Sequence, residues 1–355
     1  MSLNIGILPA SRDLSHPADR RRIGAALNQL GCHYELAEFD KAYDVVFLTL
    51  SADLDLWAAY RDRQESLGNS PKIIFDFCDN IIATSLIRDV LRGLLYFISG
   101  KTKHLKFRYS SLIKEVIRTA DIVIVGSEEQ QHFLSNFTDR VVVIHDYFDA
   151  EIREKKISLE LGEKNSPRLL WEGLSHGNIK IWKGIRRISE SIQPKLRGLS
   201  LTVVTDAVCC RTSGRWFCRP TSTRLRSIFR NSPISVNFLK WSQENIQAAV
   251  QLADVGIIWI PDDPVMRMKP ENKLLYMWSM GIPVVVSDTP AYSRVMKDSG
   301  LLEFCGSDDE LPESLEKLLS SASLRQEYMR RANVYLRQAF GDDYIRRKWA
   351  PLLTE

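Results

Sequence analysis

With 355 residues, of which 45% are hydrophobic and 26% charged, the chain has a globular composition and exceeds what one hydrophobic core usually organises, so two domains are expected. Its formal net charge of +4 favours anionic ligands but is too small to argue for nucleic acid, which is not expected as a partner. No apolar run approaches the length of a membrane span, and six scattered cysteines without an N-terminal signal peptide predict reduced thiols in a cytoplasmic protein. Cys209, Cys210 and Cys218 lack the paired spacing of a zinc site and read as buried or loop thiols.

In chain order, a strand is expected at Leu3 to Leu8, followed by a polar loop and a helix from about Asp19 to Leu30 that Gly31 ends. Similar units follow: Val45 to Leu50 with a helix through Trp57 and Tyr60, Ile73 to Phe77 with a long helical stretch opening at Asn80 to Ile87, and Ile122 to Val125 with Glu128 to Phe137. Val141 to Ile144 closes this half, and the charged, core-poor segment Glu151 to Pro167 reads as a linker. The second half repeats the pattern, with strands at Leu169 to Trp171, Leu199 to Val204, Val236 to Leu239, Val255 to Trp259 and Val284 to Val286. Strands alternating with helices specify parallel sheets covered on both faces. The expected architecture is therefore α/β, with two doubly wound Rossmann-like domains, residues 1–150 and 151–339, facing each other across a cleft. A last helix, within about 340–355, carries Tyr344, Ile345, Trp349 and Leu352 on one side and is expected to pack back towards the first domain.

The most informative stretch is residues 269–296, KPENKLLYMWSMGIPVVVSDTPAYSRVM. Pro270 suits a first helical turn, Glu271 favours its positive end, and Leu274, Leu275 and Trp278 recur at helical spacing. Gly281 stops the helix, Pro283 forbids its continuation, and Val284 to Val286 form a β-branched run suited to a buried parallel strand. A helix that starts beside Lys269 and Lys273 can hold a diphosphate by its free amides and two ammonium groups.

Together, several segments resemble the GT-B glycosyltransferases of the large retaining family 4 type. Ala120–Glu128 (ADIVIVGSE) resembles the family's Ala-Asp, strand, Ser-Glu segment, and Val143–Asp149 stands where the family usually reads Ile-Pro-Asn-Gly-Val-Asp. Ala253 to Pro261 is similar to the strand preceding the donor-phosphate helix, and Asn272 to Ser287 resembles the family's Lys-Leu-Leu-Glu-Tyr-Met-Ala-x-Gly-x-Pro-Val-Val-x-Ser pattern most closely. The departures are specific. Met268 and Tyr276 replace two glutamates that the family often carries, the second at the nucleotide ribose, so Tyr276 holds that donor-binding position here. The family's Gly-Arg-Leu is Gly173-Leu174-Ser175, and Lys183-Gly184 stands for the Lys-Gly that normally follows. Asp76-Phe77-Cys78-Asp79 occupies the place of the acceptor-domain histidine.

The resemblance implies transfer of a sugar from a nucleotide-sugar donor to a glycan or lipid-linked acceptor, with retention, in polysaccharide or surface glycan biosynthesis. No cofactor and no metal are expected; Asp53-Leu54-Asp55 superficially fits a metal-binding pair of aspartates but lies at a helix start. Lys269 and Lys273, with Lys183, are the candidates to stabilise the leaving diphosphate. Gly173 permits close backbone approach to phosphate; Asn178 lies near the same loop or caps a helix, and Trp241 borders the base or belongs to the core. Asp76 and Asp79 either face acceptor and sugar or serve as caps. Arg12, Arg20, Arg21 and Arg22 read as solvated charge by default. Leu94–Ile98 before Lys101, Lys103, His104, Lys106 and Arg108 fits either a peripheral contact with an anionic membrane surface or a packed helix and solvated loop. Arg211, Arg215 and Arg219 around Trp216-Phe217 fit an anionic ligand or a charged loop. The absent glutamates and arginine also motivate a non-catalytic GT-B homologue acting as a binding or scaffold subunit. A sugar-nucleotide epimerase is a third reading.

Overall fold

The computed structural model describes residues 3–14, 16–100, 102, 104–148, 152, 154–156, 158–160, 166–175, 179–209, 218–341 and 343–354. The chain forms two compact units. The first comprises Met1–Tyr147, Met268–Pro270 and Asp342–Glu355, and the second Phe148–Arg267 and Glu271–Gly341.

The first unit is built on β1 (Ile5–Leu8), β2 (Tyr34–Leu36), β3 (Val45–Thr49), β4 (Lys72–Asp76), β5 (Ile122–Val125) and β6 (Val141–Val143), in the order β2-β1-β3-β4-β5-β6. The second contains β7 (Arg168–Glu172), β8 (Ser200–Thr205), β9 (Val208–Cys209), β10 (Arg219–Pro220), β11 (Ser235–Lys240), β12 (Val255–Ile258), β13 (Val284–Ser287) and β14 (Cys305–Gly306). Its sheet runs β11-β8-β7-β12-β13-β14, with β9 and β10 forming a separate antiparallel pair. Every pairing inside the two large sheets is parallel. The central strands β3, β12 and β13 are buried at every residue rather than at alternate ones, because helices cover both sheet faces. Strand order reverses at β1 in the first unit and at β7 in the second, so each sheet is doubly wound.

One local device recurs at strand entry. Asp44, Asp121 and Asp254 each stand one residue before a strand, and each bonds twice to the backbone of a neighbouring strand's entry residue. Asp254 accepts the Arg168 N–H at 2.8 Å and donates its own N–H to the Arg168 carbonyl at 2.9 Å. Asp121 does the same with Ile73, at 2.7 and 2.8 Å, and Asp44 with Asn4, at 2.7 and 2.9 Å. In two cases the preceding residue, Ala120 or Ala253, ends a helix in extended backbone, so Ala-Asp is a helix exit and a strand clamp in two residues. The Ala-Asp steps in the sequence are thereby explained as architecture.

Several elements differ from the expectations above. The helix expected over Asp19 to Leu30 is two helices, Pro17–Arg21 and Ile23–Gln29, broken at Arg22, whose side chain turns into the protein. Asn80 to Ile87 is not helical as a whole: the helix runs Leu86–Ile98 with Ser85 as its N-cap. Within the segment read as a linker, Lys156 is fixed to the second unit, donating its N–H to the Met280 carbonyl and its ammonium to the Gln251 carbonyl. Cys32, Cys78, Cys209 and Cys305 are free thiols as expected, whereas Cys218 is disulfide-bonded. The C-terminal helix, Tyr344–Thr354, buries Tyr344, Ile345, Trp349 and Leu352 within the first unit, with the Trp349 ring 6.2 Å from Phe47.

Replacing Asp254 by alanine removes the clamp and strands the Arg168 amide, so a loss of roughly 1–3 kcal/mol is expected in urea unfolding, with unchanged far-UV dichroism. Asp121→Ala should cost a similar amount.

Candidate functional site

In the second unit the strand order reverses between β7 and β12, and the carboxyl end of β7 is where a doubly wound sheet offers its crevice. Glu172, Gly173 and Lys273 meet there. The helix Asn272–Ser279 is apolar and buried from Leu274 to Ser279, which leaves Lys273, in its first turn, directed to the end of β7. The Lys273 ammonium donates to the Glu172 carbonyl at 2.7 Å and stands 5.1 Å from the centre of the Trp171 ring. This approach requires glycine next door. A Cβ on Gly173 would lie 2.5 Å from the Lys273 Nζ, and the residue has φ +156°. The lysine is thus held at a strand end by a carbonyl and an aromatic face.

Glu172 also accepts the Trp241 indole N–H at 3.0 Å, so the residue after β11 joins the same cluster. Trp241 is half-buried, with its backbone N–H on the Thr205 carbonyl at 2.7 Å. Behind the lysine, Glu271 is fully buried at the start of its helix and bonds Arg294 of the helix Pro290–Asp298 at 2.8 Å. A buried acid at a helix N-terminus complements the helix dipole, and Arg294 compensates its burial. Burial pushes the neighbouring Tyr292 hydroxyl above its ordinary pKa, with Glu271 and Glu172 adding to the shift.

Tyr276 and Gly281, which the resemblance also makes donor-binding positions, are both engaged in packing or helix termination. Tyr276 is 1% exposed, with its ring 5.3 Å from Phe148 in the core of the second unit. Gly281 has φ +88°, and a Cβ there would sit 2.8 Å from the Lys156 carbonyl; its task is to end the helix beneath a crossing segment. Lys183 is exposed and lines a cavity of about 210 Å³ with Ile179, Arg219, Thr223, Arg224, Ser227 and Ile228. Its partner in sequence, Gly184, is fixed by packing, since a Cβ would meet the Trp259 ring at 2.6 Å. Asn178 lies outside the described residues, as do Arg211, Arg215, Trp216 and Phe217.

The first unit gathers a different set at its strand ends. Arg22 is 1% exposed and donates to both carboxylate oxygens of Asp76, at 2.8 to 3.0 Å, to Asp146 at 3.1 Å and to the Ile144 carbonyl at 2.8 Å. Burial opposes its charge, but Asp76 and Asp146 outweigh burial and hold the guanidinium above its ordinary pKa. Solvated charge is therefore the wrong description of Arg22. Asp76 is in turn the counter-ion of a buried guanidinium, with both oxygens occupied, rather than a carboxylate offered to a substrate. The hub ties the ends of β4 and β6 to the broken helix at Arg22.

Asp79 is placed differently. Half-exposed in the loop after β4, it lies 3.8 Å from the ammonium of Lys269, itself 41% exposed, and it caps no helix. Pro270 follows under Gly126, whose missing side chain leaves room for the proline ring at 2.9 Å from where a Cβ would stand. Burial pushes the nearby Cys78 thiol well above its ordinary pKa, with Asp79 and Asp76 adding to the shift. Asp53 and Asp55 do not converge: Asp53 caps the helix Leu54–Trp57, and Asp55 pairs with His104 and Lys106.

Sequence reasoning missed Glu172, which organises the cluster at β7, and Arg22 with Asp146. Glu172 carried a usable signal as the acidic last residue of a buried strand directly before glycine. Arg22 carried none, because its burial depends on residues 54 and 124 positions away.

No family model matches the chain, and no curated protein matches it by sequence. Solved structures do. The chain superposes on S. aureus TarM, in complex with Fondaparinux, alpha-GlcNAc-glycerol and UDP, with a TM-score of 0.56 and 11% identity over 88% of this chain and 55% of TarM. It thus spans little more than half of that protein. WaaG, a glycosyltransferase involved in lipopolysaccharide biosynthesis, matches with a TM-score of 0.56 and 13% identity over 97% of this chain and 98% of WaaG. An alpha,alpha-trehalose-phosphate synthase (UDP-forming) from Burkholderia vietnamiensis gives 0.57 and 13% over 87% and 71%. The chain has the GT-B fold. At these identities the likeness is one of fold, and in this GT-B chain the residue roles rest on the geometry above.

Asp76→Ala should leave the Arg22 guanidinium buried beside Asp146 alone and cost about 3–5 kcal/mol in chemical denaturation. Asp79→Ala, at an exposed and loosely paired position, should stay within about 0.5 kcal/mol.

Proposed function

We propose that the protein is a glycosyltransferase that moves a sugar from a nucleotide-sugar donor to a glycan or lipid-linked acceptor, with retention, in the building of a polysaccharide or surface glycan. The observation that carries this reading is Lys273 at the strand-order reversal of the second unit, held over Gly173 at the start of a helix. When a nucleotide sugar reacts, the leaving diphosphate gains negative charge as the sugar becomes oxocarbenium-like. A fixed ammonium and the free amides of a helix start lower that barrier without the reorganisation that water would require. Trp241, anchored through its N–H to Glu172, offers an aromatic edge to the nucleotide. Lys269, four residues before Lys273, is a second candidate for the leaving group, and no metal is required in this scheme. UDP stands in the TarM complex and in the name of the trehalose-phosphate synthase, which supports a uridine donor as the first to test.

The second reading is a non-catalytic GT-B homologue that binds a sugar nucleotide or acts as a scaffold. Two placements favour it: Tyr276 is buried where an acid is expected at the ribose, and Asp76 is committed to Arg22. A donor panel separates the two.

If the enzymatic reading holds, one nucleotide sugar should raise the melting temperature and be hydrolysed or transferred slowly, with Lys273→Ala lowering kcat/KM about 100- to 1,000-fold while the fold is retained. Stabilisation by a nucleotide with no turnover for any acceptor or water would assign the binding subunit. No response to any nucleotide or sugar nucleotide would assign the scaffold.

A further inference from the structure

The helix Leu86–Ile98 of the first unit has a mixed inward side. Tyr96 packs on the core with its ring 4.7 Å from Tyr109, Asp89 is buried and accepts from the Ser110 N–H and hydroxyl at 2.9 and 2.5 Å, and Arg92 donates to the Ile81 carbonyl at 2.9 Å. Gly93 is buried too, and a side chain there would run into the Lys106 carbonyl. That close approach brings the segment 104–108 alongside the helix. The opposite face carries Ile87, Leu91, Leu94 and Ile98, spaced four, three and four residues apart in one stripe, and these are 73%, 52%, 40% and 62% exposed. Leu86, Phe97, Leu105 and Phe107 extend the patch and are exposed as well. A helix on a globular protein ordinarily turns such a stripe to the core, and a contiguous exposed one marks a surface that something covers.

The charge around the stripe says what covers it. Between residues 86 and 108 the sequence has six lysines and arginines and one acid, the buried Asp89. Arg88 and Arg108 are exposed on the same stretch of chain as the apolar residues, and Lys106 reaches Asp55 at 2.6 Å. A second copy of this chain would present the same positive rim and be repelled. A surface that is apolar within and anionic at its edge is the complement, and an acidic lipid bilayer has both properties at the depth of one helix radius. Thirteen residues make a helix of about 20 Å, too short for a hydrocarbon core of about 30 Å, and no helix among the described residues is long and apolar enough to cross a membrane.

We infer that the helix Leu86–Ile98, with the adjoining Leu105 and Phe107, lies in the surface of an anionic membrane with Ile87, Leu91, Leu94 and Ile98 seated among the acyl chains. This inference goes beyond glycosyl transfer and stands or fails independently of it, since membrane binding is read without donor or acceptor. In flotation of the whole protein, vesicles containing about a third phosphatidylglycerol should bind it more tightly than phosphatidylcholine alone, and salt should weaken the preference. Leu91→Gln with Ile98→Gln should lower partitioning roughly tenfold or more. Arg88→Glu with Arg108→Glu should remove the preference for anionic lipid, whereas Leu67→Gln, at another exposed leucine of the same unit, should change nothing. All these sites are exposed, so melting curves should match the parent. Absence of vesicle binding, or binding indifferent to the Leu91 and Ile98 changes, overturns the inference. So does self-association in sedimentation velocity that the same pair abolishes, which would give the face to a second copy.

Discussion

Parallel strands carry no hairpin to set their stagger, so something else must bring their ends level. In this protein an aspartate one residue before the strand performs that task at Asp44, Asp121 and Asp254, each bonding twice to an adjacent strand's entry residue. Once the entries are aligned and the strands are short and nearly equal, the carboxyl ends align as well. All chemistry of interest sits at those ends. The Arg22 hub joins the ends of β4 and β6, and the Glu172 cluster sits at the end of β7.

The two units use buried charge for different ends. In the first, a buried guanidinium is bound to two carboxylates and a carbonyl and so organises the strand ends. Such a network is costly to break and contributes to specifying one arrangement. In the second, the buried Glu271–Arg294 pair lies behind the helix start, while Lys273 in front is held by a neutral carbonyl and an aromatic ring.

The helix Leu86–Ile98 follows a third logic. Its inward side joins the core through Tyr96, while Asp89 and Arg92 find backbone and hydroxyl partners in the segments beside it and Gly93 admits the crossing chain. The apolar stripe is then left outward by construction, and a lipid surface would lower its free energy where water raises it.

Apart from β2, β14 and the β9–β10 pair, the strands, their order of appearance and the two-fold repetition of the doubly wound pattern were legible in the chain, because a parallel sheet buried on both faces demands continuous β-branched runs such as Val45–Thr49 and Val284–Ser287. The helix that starts at Asn272 and ends at Gly281 was legible too, since Pro270, Gly281 and Pro283 act locally. What the sequence could not disclose were partners distant along the chain. Asp76 read as a cleft carboxylate, but Arg22, 54 residues earlier, binds it, and the buried contact of Tyr276 with Phe148 was not visible either. Glu172, invisible as a site residue, became one when Trp241 and Lys273 met it from 69 and 101 residues away. Periodicity and backbone chemistry act over a few residues and fix the elements; burial and ion pairing act through space, so only the folded chain decided which charges remained for function.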